Sequence, residues 1–152
     1  MKIALPLLSC AVLASPVGHA DTETIQLTCE LDVTTQPPLG DSRRSHETVV
    51  VEMLFDARTG FKAISIRSVA IPVAVANKKG GAVTSFADNS DENHWDISNR
   101  RDRSKVASDE SVAIDRNTGF ITAHSIKTVG DASQHVEARG TCKRVDTGGR
   151  KF

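Results

Sequence analysis

The stretch TIQLTCELDV, which runs from Thr24 to Val33, alternates apolar and polar side chains without interruption. Cys29 lies on the apolar side of this alternation. Because successive side chains of a β-strand point to opposite faces, the pattern predicts a strand with one buried and one solvated face. The residues of the predicted buried face are Ile25, Leu27, Cys29, Leu31 and Val33.

A second alternating stretch, HVEARGTC, ends at Cys142, close to the other end of the chain. Its predicted inward side consists of Val136, Ala138, Gly140 and Cys142. Both Cys29 and Cys142 therefore belong to predicted buried faces. If the first and last strands are neighbours, a disulfide between them closes a loop of 142 − 29 = 113 residues. Chain-entropy arguments give such a loop about 4–5 kcal/mol of stabilisation.

The first twenty residues, MKIALPLLSCAVLASPVGHA, are typical of a secretory signal peptide. A basic residue, Lys2, precedes the apolar run Ile3 to Ala14, and small residues precede the predicted cleavage site after Ala20. The prediction is a periplasmic or secreted protein of bacterial origin, with one β-domain over residues 21–152, or 152 − 20 = 132 residues. Two cysteines remain after cleavage, and an even number in an oxidising compartment indicates a disulfide.

An alternative for the same segment is a lipoprotein. LLSC, from Leu7 to Cys10, matches a lipobox, in which the cysteine is acylated and becomes the new N-terminus. The apolar run of this segment is shorter than the roughly 20 residues that a membrane-spanning helix needs, and no later run reaches that length. The sequence therefore predicts a protein that does not span a membrane.

Further strand-like runs fill the chain between the two cysteines, and no window has a helical stripe. We expect an all-β fold, an antiparallel sandwich or small barrel of about seven to nine strands closed by one disulfide. A change of apolar parity predicts a bulge near Ser68, and Pro72 predicts an edge or bend. Residues 35–46 are predicted to form a flexible loop and residues 146–152 a C-terminal tail. The runs are ETVVVEMLF, FKAISIRS, AVTSF, HWDIS, ESVAI and FITAHSI.

The pattern D-x-x-T-G-F occurs twice, in FDARTGF at Phe55 to Phe61 and in IDRNTGF at Ile114 to Phe120. Both copies lie between strand-like runs. An Asp side chain accepts hydrogen bonds from the backbone N–H groups that follow it, and Gly supplies a positive φ before the next strand. We interpret Asp56 and Asp115 as turn caps and Gly60 and Gly119 as the left-handed positions, in preference to a duplicated functional element.

Charge and motif content disfavour several classes of protein. The chain has 19 basic and 19 acidic residues, whereas a nucleic-acid-binding protein is normally strongly basic. The histidines are scattered and no nucleophile, phosphate-loop or dinucleotide motif occurs, so no metal, cofactor or catalytic residue is predicted. The run DNSDENHWD, Asp88 to Asp96, is interpreted as a solvated loop, with a weak calcium site as the alternative.

Several residues are candidates for partner contact. Trp95 is predicted to be half-buried at a strand start, or alternatively an exposed anchor for a protein partner. RRDRSK, Arg100 to Lys105, concentrates four cations and either forms a solvated edge or binds an anionic envelope component. Its candidate contacts are Arg100, Arg101 and Arg103.

Three short stretches resemble a group of small, exported, uncharacterised proteobacterial proteins. They are L-T-C at Leu27 to Cys29, I-D-R-x-T-G-x-I at Ile114 to Ile121, and G-T-C-x-x-V-D followed by R-K-F over Gly140 to Phe152. The resemblance supports the signal peptide and the cysteine pair as shared features and implies no activity. It leaves Arg116 and the terminal Arg150-Lys151-Phe152 as further candidates for partner contact.

These observations predict a periplasmic module that acts by binding, or as an envelope structural factor, rather than by catalysis. One alternative is a proteinaceous inhibitor of an envelope hydrolase, with Asp88 to Asp96 or Arg100 to Lys105 as its inhibitory loop. A second is an enzyme whose site is assembled across strands from His94, Asp96 and His124. A third is a barrel that encloses an apolar ligand.

Overall fold

The structure of the protein is a computed structural model that describes residues 22–56, 60–76, 84–103 and 105–145. It does not describe the side chains of residues 84 and 103. The predicted signal peptide with Cys10, and the tail 146–152, lie outside these residues. Within the described residues nine strands follow one another: β1 Thr22–Gln36, β2 Arg43–Asp56, β3 Gly60–Arg67, β4 Ala74–Ala76, β5 Thr84–Asp88, β6 His94–Arg103, β7 Val106–Asp115, β8 Phe120–Val129 and β9 Ala132–Arg144.

All nine strands belong to one antiparallel sheet in the order β4-β3-β2-β1-β9-β8-β7-β6-β5. The sheet curls into a nearly closed barrel, so of the two predicted all-β architectures the barrel is confirmed. The order consists of two meanders, β1 to β4 and β5 to β9, which meet where β1 pairs with β9. This ladder is the connection between the two halves of the sheet.

The apolar side chains of the alternating stretches fill the barrel interior. The five predicted inward residues of β1 are between 0% and 6% exposed, and three alternate residues of β9, Val136, Ala138 and Cys142, are at most 9% exposed. Burial of an aliphatic side chain contributes about 1.5–3 kcal/mol, so these rows supply a substantial share of the stabilising free energy. The largest fully buried side chains from the other strands and connections are Val51, Met53, Ile64, Ile71, Val73, Val75, Ile97, Val112, Ile114 and Ile121.

The disulfide lies within the β1–β9 ladder. Cys29 and Cys142 are direct cross-strand partners, their Cα atoms are 4.0 Å apart, and their sulfurs are bonded. Two positions along β9, Gly140 faces Leu31. A Cβ on Gly140 would lie 1.9 Å from the carbonyl oxygen of Glu30. Only glycine allows β1 and β9 to approach this closely, and such glycines accompany the bending of strands in small barrels.

The barrel closes through side chains rather than through a complete ladder. On the inner side of β6 and β7, Arg101 donates to the carbonyl of Ala74 in β4 at 3.4 Å, and the Glu110 carboxylate accepts from the Ala74 N–H. Burial raises the pKa of Glu110, against the opposing effect of Arg101. Beside them Asn99 is 2% exposed, and neither of its amide atoms has a hydrogen-bond partner among the described residues. The seam therefore places several polar groups in a mainly apolar interior.

The predicted flexible loop over residues 35–46 is too long. Strand β1 extends to Gln36 and β2 begins at Arg43, so the connection covers only residues 37–42. Thr34 pairs with Arg44, and Thr35 pairs with Arg43. Polar side chains on both faces remove the alternation at this end, but the backbone groups still form the ladder.

The predicted bulge near Ser68 is also wrong. The register shift lies between Leu54 and Phe55 of β2, where Lys62 is the extra residue of β3. At Ser68 the strand has ended, and the Ser68 hydroxyl accepts hydrogen bonds from the N–H groups of Ala70 and Ile71. The chain thereby turns, which leaves Val69 fully exposed. The predicted edge after Pro72 is found, because β4 is the last strand of the sheet.

The disulfide is expected to contribute a large share of the stability. Replacing Cys29 and Cys142 together by alanine should lower the free energy of unfolding by about 4 kcal/mol, because the bond constrains a 113-residue segment of the unfolded chain. Urea unfolding of the oxidised protein, the reduced protein and the double variant measures this difference. Equal midpoints for the three samples would contradict it.

Candidate functional site

One end of the barrel collects most of the residues that the sequence analysis singled out. Because neighbouring strands run in opposite directions, the end of β2, the start of β6 and the end of β7 lie together with the start of β1 and the end of β9. Both D-x-x-T-G-F copies and the run Asp88 to Asp96 therefore lie at this end. We call it the Trp95 mouth; it comprises Glu23, Phe55, Asp56, Gly60, Phe61, residues 88–96, residues 115–119 and Arg144.

The second D-x-x-T-G-F copy is a tight turn with the predicted geometry. The Asp115 carboxylate accepts hydrogen bonds from the N–H groups of Asn117 at 2.8 Å and Thr118 at 2.9 Å. These backbone bonds, first that of Thr118, hold the pKa of Asp115 below its ordinary value. Gly119 has a φ of 72°, and its carbonyl accepts the N–H of Cys142 at 2.8 Å. The turn is thereby attached to the strand that carries the disulfide.

The first copy has the same conformation at its glycine. Gly60 has a φ of 76°. Asp56 is 3% exposed and forms an ion pair with Lys62 at 2.7 Å. Residues 57–59, whose N–H groups the Asp56 cap was predicted to bind, lie outside the described residues. The left-handed glycine is thus common to both copies.

The loop between β5 and β6 is held by its own side chains. Asp88 accepts the N–H of Ser90 at 3.0 Å, and Asp91 accepts those of Asn93 and His94 at 2.7 Å each. The bonds from Asn93 and then His94 lower the pKa of Asp91. These aspartates act as turn caps, and no group of three His, Cys, Asp or Glu residues suited to a metal ion occurs in the described parts of the chain.

Trp95 and Arg116 form the centre of the mouth. The Arg116 guanidinium carbon lies 5.1 Å from the centroid of the Trp95 ring, and Arg116 also donates to the carbonyl of Glu92 at 2.9 Å. On the barrel side, Phe61 meets Trp95 edge-on at 5.8 Å, and Phe55 meets Phe61 at 5.3 Å. The tryptophan is therefore fixed between an arginine on its outer side and a row of phenylalanines below.

A pocket lies on each side of this pair. The first, which we call the turn pocket, has a volume of about 440 Å³, and the second, the Phe61 pocket, about 480 Å³. Trp95 and Arg116 line both pockets and form the wall between them. The turn pocket is also lined by Glu92, Asp115, Cys142 and Arg144. The Phe61 pocket is also lined by Glu23, Phe55, Phe61, Asp88 and Asp91.

The arginines of RRDRSK whose side chains the structure describes do not join this site. Residues 100–103 belong to β6, so their side chains alternate between the faces of the sheet. Arg100 is exposed on the outer face, whereas Arg101 points inward to the seam with β4. The side chain of Arg103, like the tail Arg150-Lys151-Phe152, lies outside the described part of the structure. Arg100 and Arg101 therefore lie on opposite faces of the sheet, and the binding of an anionic envelope component by this run stays a prediction.

The catalytic arrangement of His94, Asp96 and His124 is not formed. All three side chains belong to the outer face, because their strand neighbours Trp95, Ile97, Ala123 and Ser125 point inward. His124 lies on β8, two strands from β6. His94 instead contacts Asp91 at 3.4 Å and Asp115 at 3.9 Å.

Phe55 and Phe61 are residues of the site that were not predicted from the sequence as part of it. The two phenylalanines flank the first D-x-x-T-G-F copy, which was interpreted only as turn chemistry. The signal that identifies them is the aromatic residue at each end of FDARTGF.

No protein-family model, curated protein or solved structure matches this chain. Within residues 22–56, 60–76, 84–103 and 105–145, no helix is long and apolar enough to cross a membrane.

Gly119 is expected to be required for both the turn and its attachment to β9. In Gly119→Ala the new Cβ would lie 2.5 Å from the carbonyl oxygen of Cys142, in addition to the strain of a positive φ. We expect a loss of about 2 kcal/mol or more in the free energy of unfolding. Gly130→Ala is the matched control: its φ is 59° but nothing lies within 4 Å, so about 1 kcal/mol is expected. Equal losses in a denaturant melt would contradict the contact.

Arg116 is expected to stabilise the loop between β5 and β6. Arg116→Ala removes the cation–π contact and the hydrogen bond to Glu92, which together amount to about 1–2 kcal/mol. Trp95 is the single tryptophan of the chain, so its emission spectrum should change as well. The control is Arg139→Ala, whose 3.5 Å contact with Glu137 is exposed, with an expected effect below about 0.5 kcal/mol. Unchanged emission and stability in Arg116→Ala would contradict this role.

Proposed function

We propose that this protein is a non-catalytic binding module of the bacterial cell envelope, and that it binds a partner protein through the Trp95 mouth. The observation that carries the proposal is the Arg116–Trp95 pair, which stands as a wall between two pockets of about 440 and 480 Å³. Tryptophan and arginine are among the residues that contribute most to protein–protein binding, particularly where they border pockets.

The rigidity of the mouth supports binding. Arg116 is bonded through its side chain to Glu92 and through its backbone N–H to Asn93, and the loop that carries these partners is capped by Asp88 and Asp91. A surface that is ordered before the partner arrives loses little conformational entropy on association. Trp95 is likewise fixed, by Phe61 on the side opposite Arg116.

Two further features support a location in the envelope. The first twenty residues have the charge and apolar order of a signal peptide, and disulfides persist mainly in oxidising compartments. The Cys29–Cys142 bond lies in the ladder that joins the two halves of the barrel. The resemblance to exported proteobacterial proteins is consistent with the same location and remains a prediction.

A second candidate function is inhibition of an envelope hydrolase. The observation that favours it is the side-chain-capped loop over Asp88 to Asp96, since inhibitors that block an enzyme cleft commonly present a loop held in its bound conformation. In the described structure this loop forms one rim of the Trp95 mouth. Both candidates therefore place the contact surface at the same end of the barrel.

The test is capture of envelope proteins by the immobilised protein, with variants on the two surfaces. Wild type and Arg139→Glu, whose change lies on the outer face of β9, should capture the same partner, and Arg116→Glu and Trp95→Ala should lose it. Calorimetry with the purified partner should then show at least a tenfold weaker Kd for Arg116→Glu. Melting curves show whether each variant is folded. If Trp95→Ala is unfolded, Arg116→Glu alone decides the outcome of the test.

Capture that is the same for all variants, or capture of no protein by wild type, would refute the proposal. Loss of activity of a captured hydrolase on addition of wild type, but not of Arg116→Glu, would select the inhibitor function from the two candidates.

A further inference from the structure

We propose that the Phe61 pocket receives a lysine or arginine side chain from a basic segment of the partner protein. This inference rests on the proposed binding function and specifies the chemistry of its contact. It follows from the aromatic floor of the Phe61 pocket, from the acidic residues at its rim, and from the difference in charge between this pocket and the turn pocket.

The floor of the Phe61 pocket is aromatic. Phe55, Phe61 and Trp95 form a continuous row in which adjacent rings meet at 69° and 77°. Phe61 is 3% exposed, whereas Phe55 and Trp95 are half-buried and contribute surface to the pocket. The faces of such rings carry partial negative charge, so they attract ammonium and guanidinium groups as well as apolar side-chain stems.

The rim of this pocket is acidic. Among the residues that the structure describes, Glu23, Asp88 and Asp91 line it together with one cation, Arg116, which gives these residues a formal charge of −3 + 1 = −2. Asp88 is the last residue of β5, Asp91 belongs to the loop between β5 and β6, and Glu23 lies on β1. Carboxylates around an aromatic floor match a side chain that has an apolar stem and a cationic end.

The turn pocket has the opposite balance and provides an internal comparison. Its carboxylates Glu92 and Asp115 are matched by Arg116 and Arg144, which gives a formal charge of −2 + 2 = 0. The two pockets share the Trp95–Arg116 wall and differ in volume by less than a tenth. Charge, rather than size, therefore distinguishes the pocket that is suited to a cation.

Arg116 itself shows how a guanidinium is held at this end of the barrel. It lies over the Trp95 ring at 5.1 Å and donates to a backbone carbonyl, that of Glu92, at 2.9 Å. An arginine or lysine of a partner that enters the Phe61 pocket would find aromatic rings on the floor and carboxylates at the rim. The contact would thus repeat on the acidic side a type of interaction that the chain already forms.

Asp88 and Asp91 are the positions to test, because Glu23 is already paired with Arg144 at 3.6 Å. Asparagine retains the oxygen that caps the loop at both positions, so Asp88→Asn combined with Asp91→Asn removes charge while it preserves the Asx turns. The matched control is Asp41→Asn combined with Asp131→Asn. These exposed residues lie in the β1–β2 and β8–β9 connections, at the opposite end of the barrel.

The experiment is a titration with a hexa-arginine peptide at low ionic strength, followed by the emission of Trp95. Wild type and the Asp41/Asp131 control should show a saturable change with Kd values within twofold of each other. The Asp88/Asp91 variant should bind at least tenfold more weakly, and a hexaglutamate peptide should produce no change.

Three results would overturn the inference: no saturable change with wild type, an equal loss in the control variant, or a tenfold gain in affinity when residues 146–152 are removed. The last result would mean that the chain's own Arg150-Lys151-Phe152 segment occupies the pocket. A partner that depends on Arg116 but binds the Asp88/Asp91 variant with unchanged affinity would refute this inference and leave the binding function intact.

Discussion

The ladder between β1 and β9 is the constraint on which the rest of the barrel depends. Each half of the sheet is a meander that forms from sequence neighbours, and among the described residues only this ladder pairs a strand of one half with a strand of the other. Three features secure it at one place: the Cys29–Cys142 bond, the close backbone approach at Gly140, and the buried row that includes Leu31. The ladder sets the curvature of the sheet, and that curvature brings β4 back to the inner side of β6 and β7.

The same ladder supports the Trp95 mouth. Cys142 donates its N–H to the carbonyl of Gly119, so the turn that begins at Asp115 is attached to the disulfide strand. Arg116 lies within that turn and bonds to the loop between β5 and β6. The position of the Trp95 ring in the mouth is thus linked, through three hydrogen-bonded segments, to the junction of the two meanders.

The sequence predicts the strands well where one face is buried, because alternation and burial are then the same signal. It predicts the cysteine pair because both cysteines lie on the apolar side of an alternating stretch. It predicts the Asp115 to Gly119 turn because the hydrogen bonds of that turn are formed by residues close together in sequence. The paired segments beside residues 37–42 have polar side chains on both faces, so no pattern identifies them. Side-chain parity also explains why the candidate contacts Arg100 and Arg101, which are adjacent in sequence, lie on different faces of the sheet.

The composition of the candidate site was only partly predictable. Trp95 and Arg116 are each identifiable from the sequence as candidates for partner contact, but their contact with each other depends on the register that pairs Trp95 with Ile114. Prediction of the aromatic row from Phe55 to Trp95 requires more than a strand register, because β3 and β6 are not neighbours in the sheet. Their side chains meet across the barrel interior, and a pattern of single strands contains no information about which residues face each other after closure.

The pairing of β1 with β9 also has a consequence for biosynthesis. The ribosome makes β1 first and β9 last, so the β1 edge that β9 covers stays open until nearly the whole domain has been synthesised, and Cys29 has no bonding partner within the domain until then. Closure of this barrel is therefore a late, post-translational event, and a chaperone that shields an open strand edge would act on this chain during that interval.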